Sequence, residues 1–210
     1  MRRLISCCLA ASLALAAAPS ALSQKTNGTW SQQEALQILP KVNKALAGLR
    51  DYSVFDWITY GIHGRKIVLR GYASRPSVKD EAENAVKSIK GVESVENQIE
   101  VLPLSTSDDR VRAEVYNRIY TQGALRKYNA NQGNLGRAMM PGLNVGGITE
   151  NPPMGFHAIH IIVNNGHVML FGSVLNRGDE QIATMQANMA PGAFSVDSNL
   201  TVEGDREHRK

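Results

Sequence analysis

The sequence predicts an α+β protein built from two consecutive copies of one unit. Each copy is a small three-stranded mixed sheet in the order αββαβ, with helices packed on one face. Two observations carry this. Residues with strand alternation recur at a spacing of 101 positions, the distance from Ile58 to Ile159, so that Ile67-Val68-Leu69-Arg70-Gly71 falls on Val168-Met169-Leu170-Phe171-Gly172. Nearer the start of each copy the spacing is 76, as between Ser31 and Ser107 or between Leu49-Arg50-Asp51-Tyr52 and Leu125-Arg126-Lys127-Tyr128. The difference places an insertion rich in Gly, Asn, Pro and Met at about residues 129–155.

Residues 1–23 read as a secretory signal. Arg2 and Arg3 give a basic start, Leu4 to Ala18 an apolar run, and Ala21-Leu22-Ser23 a small-x-small cleavage site. The run is shorter than the roughly 20 apolar residues that cross a bilayer. Export to the periplasm with loss of the leader follows as the expectation. Leu4-Ile5-Ser6-Cys7 is similar to an acylation box, but no apolar stretch separates it from the arginines, so lipidation is the lesser alternative. The arginine pair is also similar to a twin-arginine signal. Cys7 and Cys8 both lie inside the leader, so the rest of the chain has neither a disulfide nor a cysteine metal site.

The first unit spans 24–102. Ser31-x-x-Glu34 opens a helix whose apolar positions are Ile38, Val42, Leu46 and Leu49, and Pro40 is expected to kink or split it. Two alternating strands follow, near 55–62 and 66–72, joined at His63-Gly64-Arg65. Ser77 is placed as the cap of a second helix, with Val78, Ala82 and Val86 on one side and Gly91 as its terminator. A third strand runs from Val95 to Val101.

Residues 103–106 are the linker, and the second unit spans 107–203. It has a helix from about Ser107 to Gln122, the insertion, a hairpin turning at Asn164-Asn165-Gly166, a helix opened by Asp179 and closed near Gly192, and a strand through Val202. Residues 204–210 form a charged tail. Alternation buries Ile58, Tyr60, Ile62, Ile67, Leu69, Ile99 and Val101 in the first sheet. In the second it buries Ile159, Ile161, Val163, Val168, Leu170, Leu200 and Val202.

These residues resemble the BON domain family. The match rests on Val-x-Leu-x-Gly, a helix, then Gly-Val-x-x-Val and a closing strand, seen as Ile67 to Gly71 with Gly91 to Val95, and as Val168 to Gly172 with Gly192 to Val196. The likeness covers roughly residues 35–102 and 107–203. It implies an exported envelope protein that binds phospholipid or a membrane surface, supports the envelope under osmotic stress, uses no cofactor and catalyses nothing. Ala193 in place of Val92, and the insertion, depart from the family unit. Gly71, Gly91, Gly172 and Gly192 are structural, with Gly71 and Gly172 expected where a side chain would crowd the turn into the helix.

The formal net charge of +4 falls by two when Arg2 and Arg3 leave, and the tail mixes its signs, so nucleic acid is not an expected partner. The expected partners are phospholipid or an envelope membrane surface, with another envelope protein or a second copy also possible. Contact candidates form two groups. Ile162, Met169 and Phe171 lie on the outer face of the second sheet, an apolar patch that the other repeat, another copy or lipid must cover, the other repeat first among them. Arg126, Lys127, Arg137, Met139, Met140 and Leu143 set cations beside flexible apolar side chains in and before the insertion, the pattern of a headgroup contact. A protein or cell-wall scaffold is the alternative reading. His157, His160 and His167 are the one histidine group; His160 and His167 fall on the outer parity, where solvated histidines are ordinary, so no metal is assigned to them. The carboxylates Asp80, Glu81, Glu83, Glu93, Glu96 and Glu100 read as solubility charges, and no catalytic residues are assigned.

Overall fold

The computed structural model describes residues 28–129, 147–153 and 155–204. The leader, most of the insertion and residues 205–210 lie outside these described residues.

The first half contains α1 (Gln32–Ala47), β1 (Trp57–His63), β2 (Lys66–Ala73), α2 (Pro76–Lys87) and β3 (Ser94–Val101). The second contains α3 (Thr106–Thr121), a single 3-10 turn at Arg126–Tyr128, β4 (Ile159–Asn164), β5 (His167–Val174), α4 (Arg177–Asn188) and β6 (Ser195–Val202). Each half makes one mixed sheet. β2 pairs antiparallel with β1 and parallel with β3, and β5 does the same with β4 and β6. The parallel register repeats as well: Lys66 faces Ser94 and Ala73 faces Val101, as His167 faces Ser195 and Val174 faces Val202.

Local chemistry sets the helix starts, and it shifts several of the expected ones. Ser31 and Glu34 form the expected reciprocal cap on α1. Pro40 leaves that helix whole; it lies on the exposed side, near exposed Leu36, where the carbonyl it leaves unbonded can face water. α2 begins at Pro76 rather than after Ser77, because proline at the first helical position already has the helical φ; the Ser77 hydroxyl donates instead to Asp51. Ser105, not Ser107, caps α3. Asn176 caps α4, with Asp179 three residues inside it.

Helices cover one face of each sheet. Ile38, Val42 and Leu46 of α1 and Val78, Ala82 and Val86 of α2 pack with Ile58, Ile67, Leu69 and Ile99. Val111, Val115 and Ile119 of α3 and Ala183 and Ala187 of α4 pack with Ile159, Ile161, Val163, Val168 and Leu170. All seven residues assigned to the covered face of the second sheet are buried, although β4 is buried on its other face as well; in the first sheet Ile62 is 42% exposed on the edge strand, and Tyr60 and Val101 are only half-buried.

Gly71 and Gly172 sit inside β2 and β5, opposite Ile58 and Ile159. Their φ angles are +120° and +119°, and a Cβ would lie 2.0 Å from the carbonyl oxygens of Trp57 and Ala158. The crowding is therefore against the neighbouring strand, not at the turn into the helix. Gly71→Ala and Gly172→Ala should each cost about 3 kcal/mol, combining an unfavourable φ with a backbone clash. Urea unfolding would show this as a lower midpoint with an unchanged slope.

Candidate functional site

The faces turned away from the helices meet each other. Trp57 stacks on Phe171 with ring centroids 5.6 Å apart and planes 11° from parallel, and Tyr72 approaches the same ring at 6.0 Å. Val68 and Ile162 are 4% and 0% exposed yet belong to neither helix-side core. The Ile161 amide donates to the Val54 carbonyl at 2.8 Å, and Asn164 donates to Glu100 at 3.4 Å.

A short turn fastens this seam. The Asp56 carboxylate is fully buried and accepts four hydrogen bonds, from the amides and hydroxyls of Ser53 and Ser74, at 2.6–2.8 Å. That clasp fixes the turn, and Val54 and Phe55 pack into the second half's core, Phe55 edge-on to Tyr116.

The outer-face candidates therefore have a use inside the fold. Ile162 is buried, and Met169 and Phe171 are half-buried. Of the three occupants open from sequence, the other repeat covers this patch. His160, expected in solvent, is 9% exposed and lies between Tyr52 and Trp57, 5.4 and 5.2 Å from their ring centres. Its parity identified the face but not the neighbour that covers it. Burial pushes its pKa down to about 4, against the opposing effect of the Asp56 and Ser53 backbone.

The three histidines are not gathered at one point. His157 Nδ1 donates to the Gly155 carbonyl, which can only accept, so Nε2 of the neutral ring accepts from the Tyr116 hydroxyl at 3.2 Å, and Asn129 donates to that hydroxyl. Burial brings its pKa to about 4 too. His167 is across the hairpin turn on β5, bonded to Ser195. His157 and His160 share a cleft of about 270 Å³ with Leu49, Tyr52, Val54 and Phe156. Phe156, 70% exposed, stands at its edge.

The insertion leaves this region from two anchored feet. At one foot the Tyr128 carbonyl accepts from the Ala158 amide, and Asn129 bridges to His157. At the other, Thr149 bonds to Asp109 and to Arg112, an arginine 1% exposed that also reaches the Val163 carbonyl at 2.8 Å. Arg126 is exposed beside the first foot. Lys127 is half tied into the fold: its Nζ lies 2.8 Å from buried Asp179, which also accepts from Tyr128 and Asn176. Burial alone would raise the Asp179 pKa, but the bonds from Lys127 and Tyr128 outweigh it and hold the carboxyl below its ordinary range. Burial, and then donation to Asp179, pushes Tyr128 up to about 12. Arg137, Met139, Met140 and Leu143 fall outside the described residues.

Sequence reasoning did not find Arg112, Asp56 or Asp179 as organisers, nor the exposed apolar residues Phe156, Phe194, Met185 and Met189. The methionines carried a readable signal. They are four apart, Met185 on α4 and Met189 as its C-terminal cap, just off the buried Ala183 and Ala187 stripe.

Both buried histidines favour their neutral forms in the folded protein, so their stabilisation is complete above the ordinary pKa of 6.5 and is lost as pH falls from there toward about 4. Each contributes a loss of about 2–3 kcal/mol by pH ~4.5. His160→Phe should roughly halve the drop in unfolding free energy between neutral and acidic buffer, measured by urea titration at each pH. An unchanged drop would show that His160 does not govern it.

Comparison with known proteins gives one family. Residues 38–103 match the BON domain. No curated protein matches the chain. Two solved structures from Chlamydia trachomatis are similar to it, both of CdsD, described as a structural protein of the type III secretion system. The C-terminal domain shares 12% identity at a TM-score of 0.26, covering 80% of this chain and 98% of that one. The other shares 12% identity at 0.24, covering 83% and 99%. Superposition this loose bears on neither fold nor function.

Proposed function

From the premise that residues 38–103 are a BON domain, we propose that this protein is an exported, non-enzymatic envelope module that docks on phospholipid surfaces. The observation that carries the reading is the BON match. The second half, with the same strand order and register, serves as its companion unit and presents the contact surface.

The seam occupies Ile162 and Phe171, which supports placing the contact at the second candidate group, the insertion and its feet. There Arg126 is exposed, Lys127 keeps part of its ammonium in solvent beside Asp179, and Phe156 projects next to His157 at the first foot. The insertion adds Arg137, Met139, Met140 and Leu143. Cations draw the surface to anionic headgroups, and the apolar side chains enter the acyl boundary. A leader read over residues 1–23 and a periplasmic location accord with this reading.

The leaderless chain should sediment with vesicles of phosphatidylcholine and phosphatidylglycerol at low salt and release as salt screens the charges. Deletion of residues 130–146 should abolish most binding, and Arg126→Glu should weaken it about tenfold, since each basic charge near an anionic surface contributes about 1 kcal/mol. Absence of vesicle binding, together with a stable protein partner crosslinked in intact cells, would replace the lipid reading with the scaffold one.

A further inference from the structure

The second hairpin turns through Asn165 and Gly166, with φ angles of +51° and +78°, the pattern of the tightest mirror-image turn. Asn-Gly is also the sequence most open to succinimide chemistry, because glycine puts no side chain in the path of its own amide nitrogen. Asn165 is exposed to water, so the reagent is always present.

The turn is not left to itself. Asp108, 1% exposed at the start of α3, accepts the Asn165 amide on one carboxylate oxygen at 2.9 Å and the Gly166 amide on the other at 2.8 Å. Its own amide is fixed by the Ser105 hydroxyl. The Asn165 side-chain amide donates to Asn164 Oδ1 at 2.9 Å. Any other residue at 166 would be strained at a φ of +78°, and its Cβ would displace the Phe194 ring.

We propose that Asn165–Gly166 is a covalent ageing site and that Asp108 holds it off by binding the attacking nitrogen. In the reaction, the Gly166 main-chain nitrogen bonds to Asn165 Cγ and the Cγ–Nδ2 bond breaks. The amide proton passes through water to the departing group, which leaves as ammonia. Water then opens the succinimide at either carbonyl to give aspartate or isoaspartate. While Asp108 accepts the Gly166 N–H, the nitrogen must first leave its partner, so the native rate is reduced by the cost of that local opening. The aspartate product keeps both backbone amides in place, whereas isoaspartate adds a methylene to the main chain of a two-residue turn and so disturbs the paired donation of residues 165 and 166 to Asp108. The first half has no counterpart, since its hairpin turns through Gly64 and Arg65.

The test follows deamidation of the peptide containing Asn165 by mass, with isoaspartate scored separately, in the leaderless chain at neutral pH. Native protein should react roughly tenfold or more slowly than the same chain in urea. Asp108→Asn, which offers one acceptor oxygen where two are needed, should react severalfold faster than wild type while keeping its circular dichroism spectrum. Amide exchange in the wild-type chain provides an independent reading, with Asn165 and Gly166 both protected. Equal rates in native buffer and urea, or a folded Asp108→Asn chain reacting at the wild-type rate, would overturn the proposal. Should the variant fail to fold, exchange decides: unprotected Asn165 and Gly166 amides overturn it, and protected ones sustain it.

Discussion

A three-stranded sheet has two faces, and in each half of this protein the helices reach only one of them. The other carries Trp57, Val68 and Tyr72 in the first sheet, and His160, Ile162 and Phe171 in the second. Left in water, each large apolar side chain would forgo about 1.5–3 kcal/mol of burial. Units of this size bury too little on their own to ignore such a loss. Joining the two faces recovers it, and the stacked Trp57–Phe171 pair adds roughly 0.5–1.5 kcal/mol through ring geometry. Because Val54 and Phe55 are also part of the second core, separating the halves would open that core as well as the seam.

Much of this was legible because β-structure writes its faces into alternate positions. A displacement of 101 residues carries β2, α2 and β3 onto β5, α4 and β6 without a slip, since neither half can change register without exposing its core. What the sequence left open was decided by contacts distant in the chain. Parity put His160 on the outer face, and only the packed halves show that Tyr52 and Trp57 close over it. Helix starts shifted by one to three residues, because Pro76 and Asn176 made better first-turn chemistry than Ser77 and Asp179.

The position of the insertion was legible for a related reason. Comparing two spacings located the insertion, with no structural information needed. Its anchoring was hidden, because Arg112, Thr149 and Val163 lie on separate segments and the arginine is polar at a position where a helix pattern predicts nothing about burial. Lys127 read as a free surface cation. Its partner Asp179 lies on α4, and an ion pair across that separation leaves no local trace.

These constraints act together on function. The seam uses the apolar face that a surface-binding protein would most readily offer, and His160 packs inside it against Tyr52 and Trp57. Among the described residues around the insertion, Arg126, the outer part of Lys127 and Phe156 are left in solvent. Anchoring those feet through Arg112 and through the Asn129–His157 bridge fixes where that segment leaves the body. A contact segment gains from such a base, because less freedom is lost when a surface is met by a chain whose ends are already fixed. The polar groups at the two ends of the insertion are linked to one another, Thr149 with Asp109 and Arg112 at one and Asn129 with His157 at the other, and each of these links joins parts of the chain far apart in sequence.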